Sequence, residues 1–169
     1  MSEGIEGTGR QTHAVFLHDS IEINRPVSRV WSSLCTDGSW LAPLAARATD
    51  SGETMLRVGP GRGALSSREV LIRLGQCSYQ QGVSYIAIRW EASRLSRLFP
   101  ILDGTLELSS KDETHSRLAI KASYRPPFES VGRLIDAALL HKVAEATVHS
   151  FLSQLAATLE SAEECGQAS

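Results

Sequence analysis

A thirty-residue run without proline, Val131 to Glu160, constrains the fold of this chain more than any other feature. Its only glycine, Gly132, stands at the start. Leu134, Ala138, His141, Glu145, Val148, Leu152, Leu155 and Leu159 recur at intervals of three and four residues. That spacing predicts one long amphipathic helix whose buried stripe is apolar at both ends and ionisable in the middle. Burying an unpaired polar group costs roughly 2 kcal/mol or more, so His141 and Glu145 suggest a space beneath the helix rather than close packing. At about 1.5 Å per residue the helix is about 45 Å long, and something of similar length must cover its apolar face.

The preceding residues supply a sheet. Val15, Leu17, Ile21 and Ile23 share one parity, which predicts a strand over Ala14 to Ile23. Asp19 interrupts that parity, as a polar group facing a cavity or as the mark of a bulge. Pro26 suits the first turn of a helix, where its missing N–H costs nothing. Val27, Val30, Trp31 and Leu34 extend that helix to about Cys35. Asp37-Gly38 ends it, and a second short helical turn is expected over 39–44. Alternation then predicts strands over Met55–Val58, Ser67–Leu74, Ser84–Glu91, Leu102–Leu108 and Ser116–Tyr124. Gly59-Pro60-Gly61, Gly75, Gly82, Pro100 and Lys111-Asp112-Glu113 separate them. Connections this short imply an antiparallel meander, hence an α+β protein with six strands. Pro126-Pro127 ends the sheet, and Ser130 is placed to cap the long helix. A curved sheet can bury so long a helix by wrapping round it, which encloses a space between the two. One domain is expected over 14–160, with mobile ends at 1–12 and 161–169.

Composition narrows the function classes. The chain has 169 residues and a net charge of −2, from 17 Lys and Arg against 19 Asp and Glu. No basic field is present to draw nucleic acid or an anionic membrane. No apolar run approaches the roughly 20 residues of a membrane span. Met1 to Arg10 lacks the apolar stretch of a secretory leader, so a cytoplasmic protein, monomer or homodimer, is expected. Cys35, Cys77 and Cys165 are odd in number and widely spaced, which suggests free thiols rather than a disulfide framework or a zinc site.

Several segments together resemble a known superfamily. Ile21-Glu22-Ile23-Asn24-Arg25-Pro26-Val27-Ser28-Arg29-Val30-Trp31, followed by Asp37, is similar to the opening strand and helix of SRPBCC proteins. These include START-related lipid-transfer domains, the birch pollen allergen group and bacterial polyketide cyclase/dehydrase-like proteins. Ser84 to Trp90, Gly104 to Leu108, Tyr124-Arg125-Pro126-Pro127-Phe128 with Gly132-Arg133-Leu134, and the helix through Ala144-Glu145-Ala146-Thr147 and Phe151-Leu152 resemble the bacterial branch. The likeness covers about residues 14 to 160. It implies a helix-grip fold: a seven-stranded antiparallel sheet around a C-terminal helix, with a hydrophobic cavity between. The seventh strand would lie in Ala45 to Thr49 or between Ala92 and Leu98. The resemblance carries no shared catalytic signature and implies no cofactor.

Candidate residues follow from the predicted cavity. His141 and Glu145, at i and i+4, would meet on the helix and either bind a polar ligand group or act as acid and base. The plainer alternative is a pair on the exposed flank. His149 lies two turns beyond His141, roughly 12 Å away, too far for both to share a metal ion with bonds near 2.1 Å. No metal site is expected. Trp90 and Tyr124 are candidate aromatic walls, Leu134 and Ala138 candidate apolar ones, and Asp19 a candidate polar contact; core packing is the alternative for the aromatics. Gly59-Pro60-Gly61-Arg62-Gly63 precedes a strand rather than a helix, so it is a hairpin loop that would gate the cavity, not a phosphate cradle. The expected function is binding of a small hydrophobic or lipid-like molecule. The rivals are a polyketide cyclase or dehydratase using the same cavity, and a protein-interaction module.

Overall fold

The computed structural model describes residues 14–35, 45–48, 54–58, 68–92, 101–125 and 137–161. In chain order the elements are β1 (Val15–Ile23), α1 (Val27–Cys35), β2 (Ala45–Ala48), β3 (Thr54–Val58), β4 (Arg68–Gln80), β5 (Val83–Ala92), β6 (Ile101–Ser110), β7 (Ser116–Arg125) and α2 (Ala137–Ser161). All seven strands form one antiparallel sheet in the order β1-β7-β6-β5-β4-β3-β2. The seventh strand is β2, in one of the two segments where the resemblance located it. The second short helix expected over 39–44, the loop at 59–63, Ser130 and Leu134 lie outside the described residues.

The sheet has a buried concave face and a charged convex one. Leu17, Ile23, Leu102, Leu106, Leu108, Leu118, Ile120, Ile86, Ile88 and Trp90 point inward and are buried. Arg73, Glu91, Arg89 and Asp103 run across the convex face as linked ion pairs, with Lys121–Glu107 beside them. These pairs are exposed, each worth little; their effect is to keep that face polar.

Helix α2 lies along the concave side of β1 and runs in the same direction. His149 Nδ1 meets Asp19 Oδ2 at 2.9 Å, and Glu160 Oε1 accepts from the Asn24 N–H at 2.7 Å. From residue 149 to residue 160, at about 1.5 Å per residue, the helix advances about 16 Å; from residue 19 to residue 24, at about 3.3 Å per residue, so does the strand. The buried side of α2 is Val148, Phe151, Leu152, Leu155, Ala156 and Leu159. Helix α1 starts after Pro26, whose carbonyl accepts from Arg29 N–H and Val30 N–H, and buries Val30 and Leu34 in the same core.

Two turns show the local chemistry. The β4–β5 hairpin closes through Gln81 (φ 51°) and Gly82 (φ 82°), the two positive φ values that a tight two-residue hairpin turn requires. In the β6–β7 hairpin the Asp112 carboxylate accepts from the Thr114 and His115 N–H groups at 2.8 Å each and contacts His115 Nδ1 at 2.9 Å. These bonds, the Thr114 N–H first, hold the Asp112 carboxyl well below the usual carboxylate range. A carboxyl lowered in the folded state adds stability that is present above the unfolded value near 4 and lost as pH falls toward the folded one. Asp112→Ala is therefore expected to lower the melting temperature at pH 7, with the gap from wild type narrowing below about pH 4. Thermal melts at the two pH values check this; an unchanged gap would assign the effect to turn geometry alone.

Two sequence expectations are corrected. Gly75 was expected to end a strand at Leu74, but β4 runs on to Gln80. Leu74 pairs with Ile88 and Cys77 with Ile86, so one extra residue is accommodated as a bulge. A Cβ at Gly75 would stand 2.8 Å from Ala87 Cβ, which explains why glycine occupies the bulge. Cys35 and Cys77, expected as free thiols, are joined in a disulfide across a Cα–Cα distance of 6.3 Å. Spanning 42 residues, it contributes roughly 4 kcal/mol by the loop-entropy relation. Asp19 marks no bulge, because the β1–β7 register is unbroken from Val15 to Ile23.

Candidate functional site

Cross-strand rows organise the concave face. Val15, Tyr124, Leu102, Trp90 and Ile72 form one continuous row across β1, β7, β6, β5 and β4. The two aromatic candidates from different strands therefore lie in register. The next row is Leu17, Ala122, Gly104, Ile88 and Leu74. Gly104 and Ala122 make its middle shallow. The third row, Asp19, Ile120, Leu106, Ile86 and Cys77, returns to bulky aliphatic side chains at its centre.

Helix α2 meets these rows in two different ways. Its C-terminal part packs tightly: Phe151 approaches Trp90 edge to face, with centroids 5.5 Å apart and planes at 81°. Trp90 is buried, so it is a core residue. Nearer its N-terminus, described side chains are open to solvent. Ala138 is exposed, and His141 and Glu145 are 40% and 57% exposed as side chains. His141 Nε2 lies 3.3 Å from Glu145 Oε1, the i, i+4 contact the spacing predicted.

One end of this pair turns inward. His141 Nδ1 is shielded from solvent and has no hydrogen-bond partner among the described residues. Tyr124 is buried nearby; burial first, and then the negative charge of Glu145, raise its hydroxyl pKa above the ordinary value. Tyr124, His141 and Glu145 thus share one neighbourhood above the Val15–Ile72 row. A neutral His141 carrying its proton on Nε2, the nitrogen facing Glu145, would present Nδ1 as an acceptor.

Comparison with known structures decides the fold. An aromatase/cyclase from Streptomyces sp. R1128 superposes with a TM-score of 0.59 at 14% identity, over 92% of this chain and 100% of that one. A START superfamily protein from Mycobacterium smegmatis gives a TM-score of 0.53 at 10% identity, over 89% and 97%. A putative protein in the dynemicin biosynthetic locus gives 0.52 at 17% identity, over 87% of this chain and 48% of that one.

This chain has the helix-grip fold that these structures share. No family model matches the sequence, and no curated protein matches it significantly.

Within the helix grip the predicted residues separate. Tyr124, His141 and Glu145 lie toward the N-terminal end of the gripped helix, whereas Trp90 packs against Phe151 further along it. Asp19 does not join them. Its carboxylate takes His149 with one oxygen and the Ser20 N–H, at 2.7 Å, with the other, so it ties the gripping edge strand to the helix. The Asp19–His149 pair was not legible beforehand, because 130 residues separate its members and only the parallel course of α2 along β1 brings them together. On the convex side of the grip, Phe16, His18, Asp103, Lys121 and Ser123 border an open depression of about 490 Å³. Asp103 and Lys121 there are taken by Arg89 and Glu107. Among the described residues, no helix is long and apolar enough to cross a membrane.

Proposed function

We propose that this protein binds a small hydrophobic molecule between the sheet and α2, above the shallow Ala122–Gly104 floor, with its polar end at Tyr124, His141 and Glu145. The observation that carries the reading is the His141 Nδ1 atom, shielded from water and unpartnered among the described residues. A shielded polar atom without a partner costs roughly 1–3 kcal/mol, a cost that a ligand hydroxyl donating to it would remove. Burial of the ligand's apolar body would supply most of the affinity, at about 25 cal/mol per Å². The ligand class is therefore a compact apolar skeleton bearing one hydroxyl.

The test compares 2-naphthol with naphthalene as probes, followed by quenching of tryptophan fluorescence. Wild type is expected to prefer 2-naphthol about 3- to 10-fold, the value of one net hydrogen bond. His141→Phe keeps the ring volume and is expected to reduce that ratio to about one while still binding naphthalene. Absence of measurable binding of either probe at millimolar concentration would end the proposal.

A cyclase or dehydratase reading uses the same three side chains. Glu145 orients His141 so that Nδ1 is available as a base, and one such acid/base pair in a shaped space is sufficient for proton-transfer chemistry. Under that reading His141→Phe abolishes turnover rather than only weakening binding. The interaction-module reading has less support, because ion pairs run across the convex face of β4 to β7.

A further inference from the structure

The β4 bulge determines which face Cys77 occupies. From Leu74 to Cys77 strand β4 advances three residues while β5 advances two, from Ile88 to Ile86. In an uninterrupted ladder Gln76 would oppose Ile86, and Cys77 would project to the convex face. The extra residue returns Cys77 to the concave face, where α1 packs and ends at Cys35. Gly75, with no room for a Cβ against Ala87, allows the bulge. A backbone irregularity is thus placed where it aligns one thiol with another that is distant in sequence.

Position and exposure point beyond a static staple. Cys77 is exposed and Cys35 partly so, which leaves the bridge open to attack by a dissolved thiolate. Helix α1 also has its own anchorage, since Val30 and Leu34 are buried in the core and the helix packs against β6 and β7. Opening the bridge would leave α1 docked and free only its last turn. We propose that Cys35 and Cys77 form a reversible redox clasp on α1. Closing transfers two electrons and two protons from the two thiols to a low-molecular-weight disulfide such as glutathione disulfide, which leaves as two thiols. Opening is the reverse exchange, through a mixed disulfide on one cysteine.

The experiment uses the full chain carrying Cys165→Ser, so that two thiols remain. The native protein is equilibrated in glutathione buffers from reducing to oxidising. Free thiols are counted by maleimide labelling and mass spectrometry, and amide hydrogen exchange is read over 27–35. The expected result is two labelled thiols in reducing buffer and none in oxidising buffer, without denaturant. Exchange over the last turn of α1, residues 32–35, should rise about tenfold on reduction, while the rest of α1, β6 and β7 stay protected. Cys77→Ser should show the reduced-state exchange of α1 in both buffers. Thiols that appear only after denaturation, or exchange rising across the whole sheet on reduction, would make the bridge a structural staple and overturn the clasp. Two thiols that label in every buffer would overturn it as well.

Discussion

Leu155→Ala is expected to cost roughly 3–5 kcal/mol of folding free energy. Leu155 sits mid-stripe on α2 and has no solvent exposure, with Leu152 and Leu159 likewise buried on either side. Truncation removes three carbons from the one face by which the helix is gripped, and helix and sheet can relax only partly toward the gap. Against a typical total of about 5–15 kcal/mol, such a loss is a large share of stability. Urea unfolding should show a lower midpoint with an unchanged slope, which separates lost stability from a changed unfolded state. Val143→Ala on the exposed side of the same helix should stay within about 0.5 kcal/mol. The size of the Leu155 effect also locates empty space. A cost under about 1.5 kcal/mol would mean that the helix already borders a void there, and would move the proposed binding space from the His141 end toward the C-terminal half.

Local periodicity was enough to read most of the fold. Alternation in β1, β5, β6 and β7 and the proline-free run of α2 are set by residues that are neighbours in sequence, so a period of two or of about 3.6 survives tertiary packing. Strand β4 shows where that reading fails. An inserted residue breaks the period at Gly75, and a strand with a bulge then looks like a strand with a stop. The Cys35–Cys77 bridge failed for the same reason, since its geometry depends on a parity that the bulge reverses. The helix stripe was readable as a stripe but not in phase along its length. Val148 to Leu159 is buried as expected, whereas Ala138 and Glu145, at matching intervals, are exposed. Spacing alone does not say where along a helix the sheet stops covering it. Of the site, the His141–Glu145 contact was legible because i, i+4 is a local relation. The shared row of Tyr124 and Trp90 was not, because it depends on the registers of two strand pairings.

Gly104→Val is expected to destabilise the protein by about 1–3 kcal/mol or more, although strand propensity alone favours the change. Valine is among the better strand residues, and a host–guest scale spanning about 1 kcal/mol would give a gain in the middle of β6. Removing a glycine also lowers the entropy of the unfolded chain, a further gain of about 0.4–1 kcal/mol where the site has room. This site has none. A Cβ at Gly104 would stand 2.7 Å from the Lys121 carbonyl oxygen and 2.7 Å from Ala122 Cβ. The carbonyl belongs to the backbone of β7, so relief requires the central β6 and β7 strands to move apart rather than a side chain to rotate. Sterics therefore outweigh propensity, and the sign of the measured change decides between them. Thermal unfolding of Gly104→Ala and Gly104→Val should show a loss for both, larger for valine. If the variants fold, the same separation should deepen or distort the floor beneath Tyr124 and His141, so the 2-naphthol preference should change along with stability. A neutral or stabilising Gly104→Ala would mean that the two strands do not approach so closely, and the shallow floor assigned to the binding space would lose its basis.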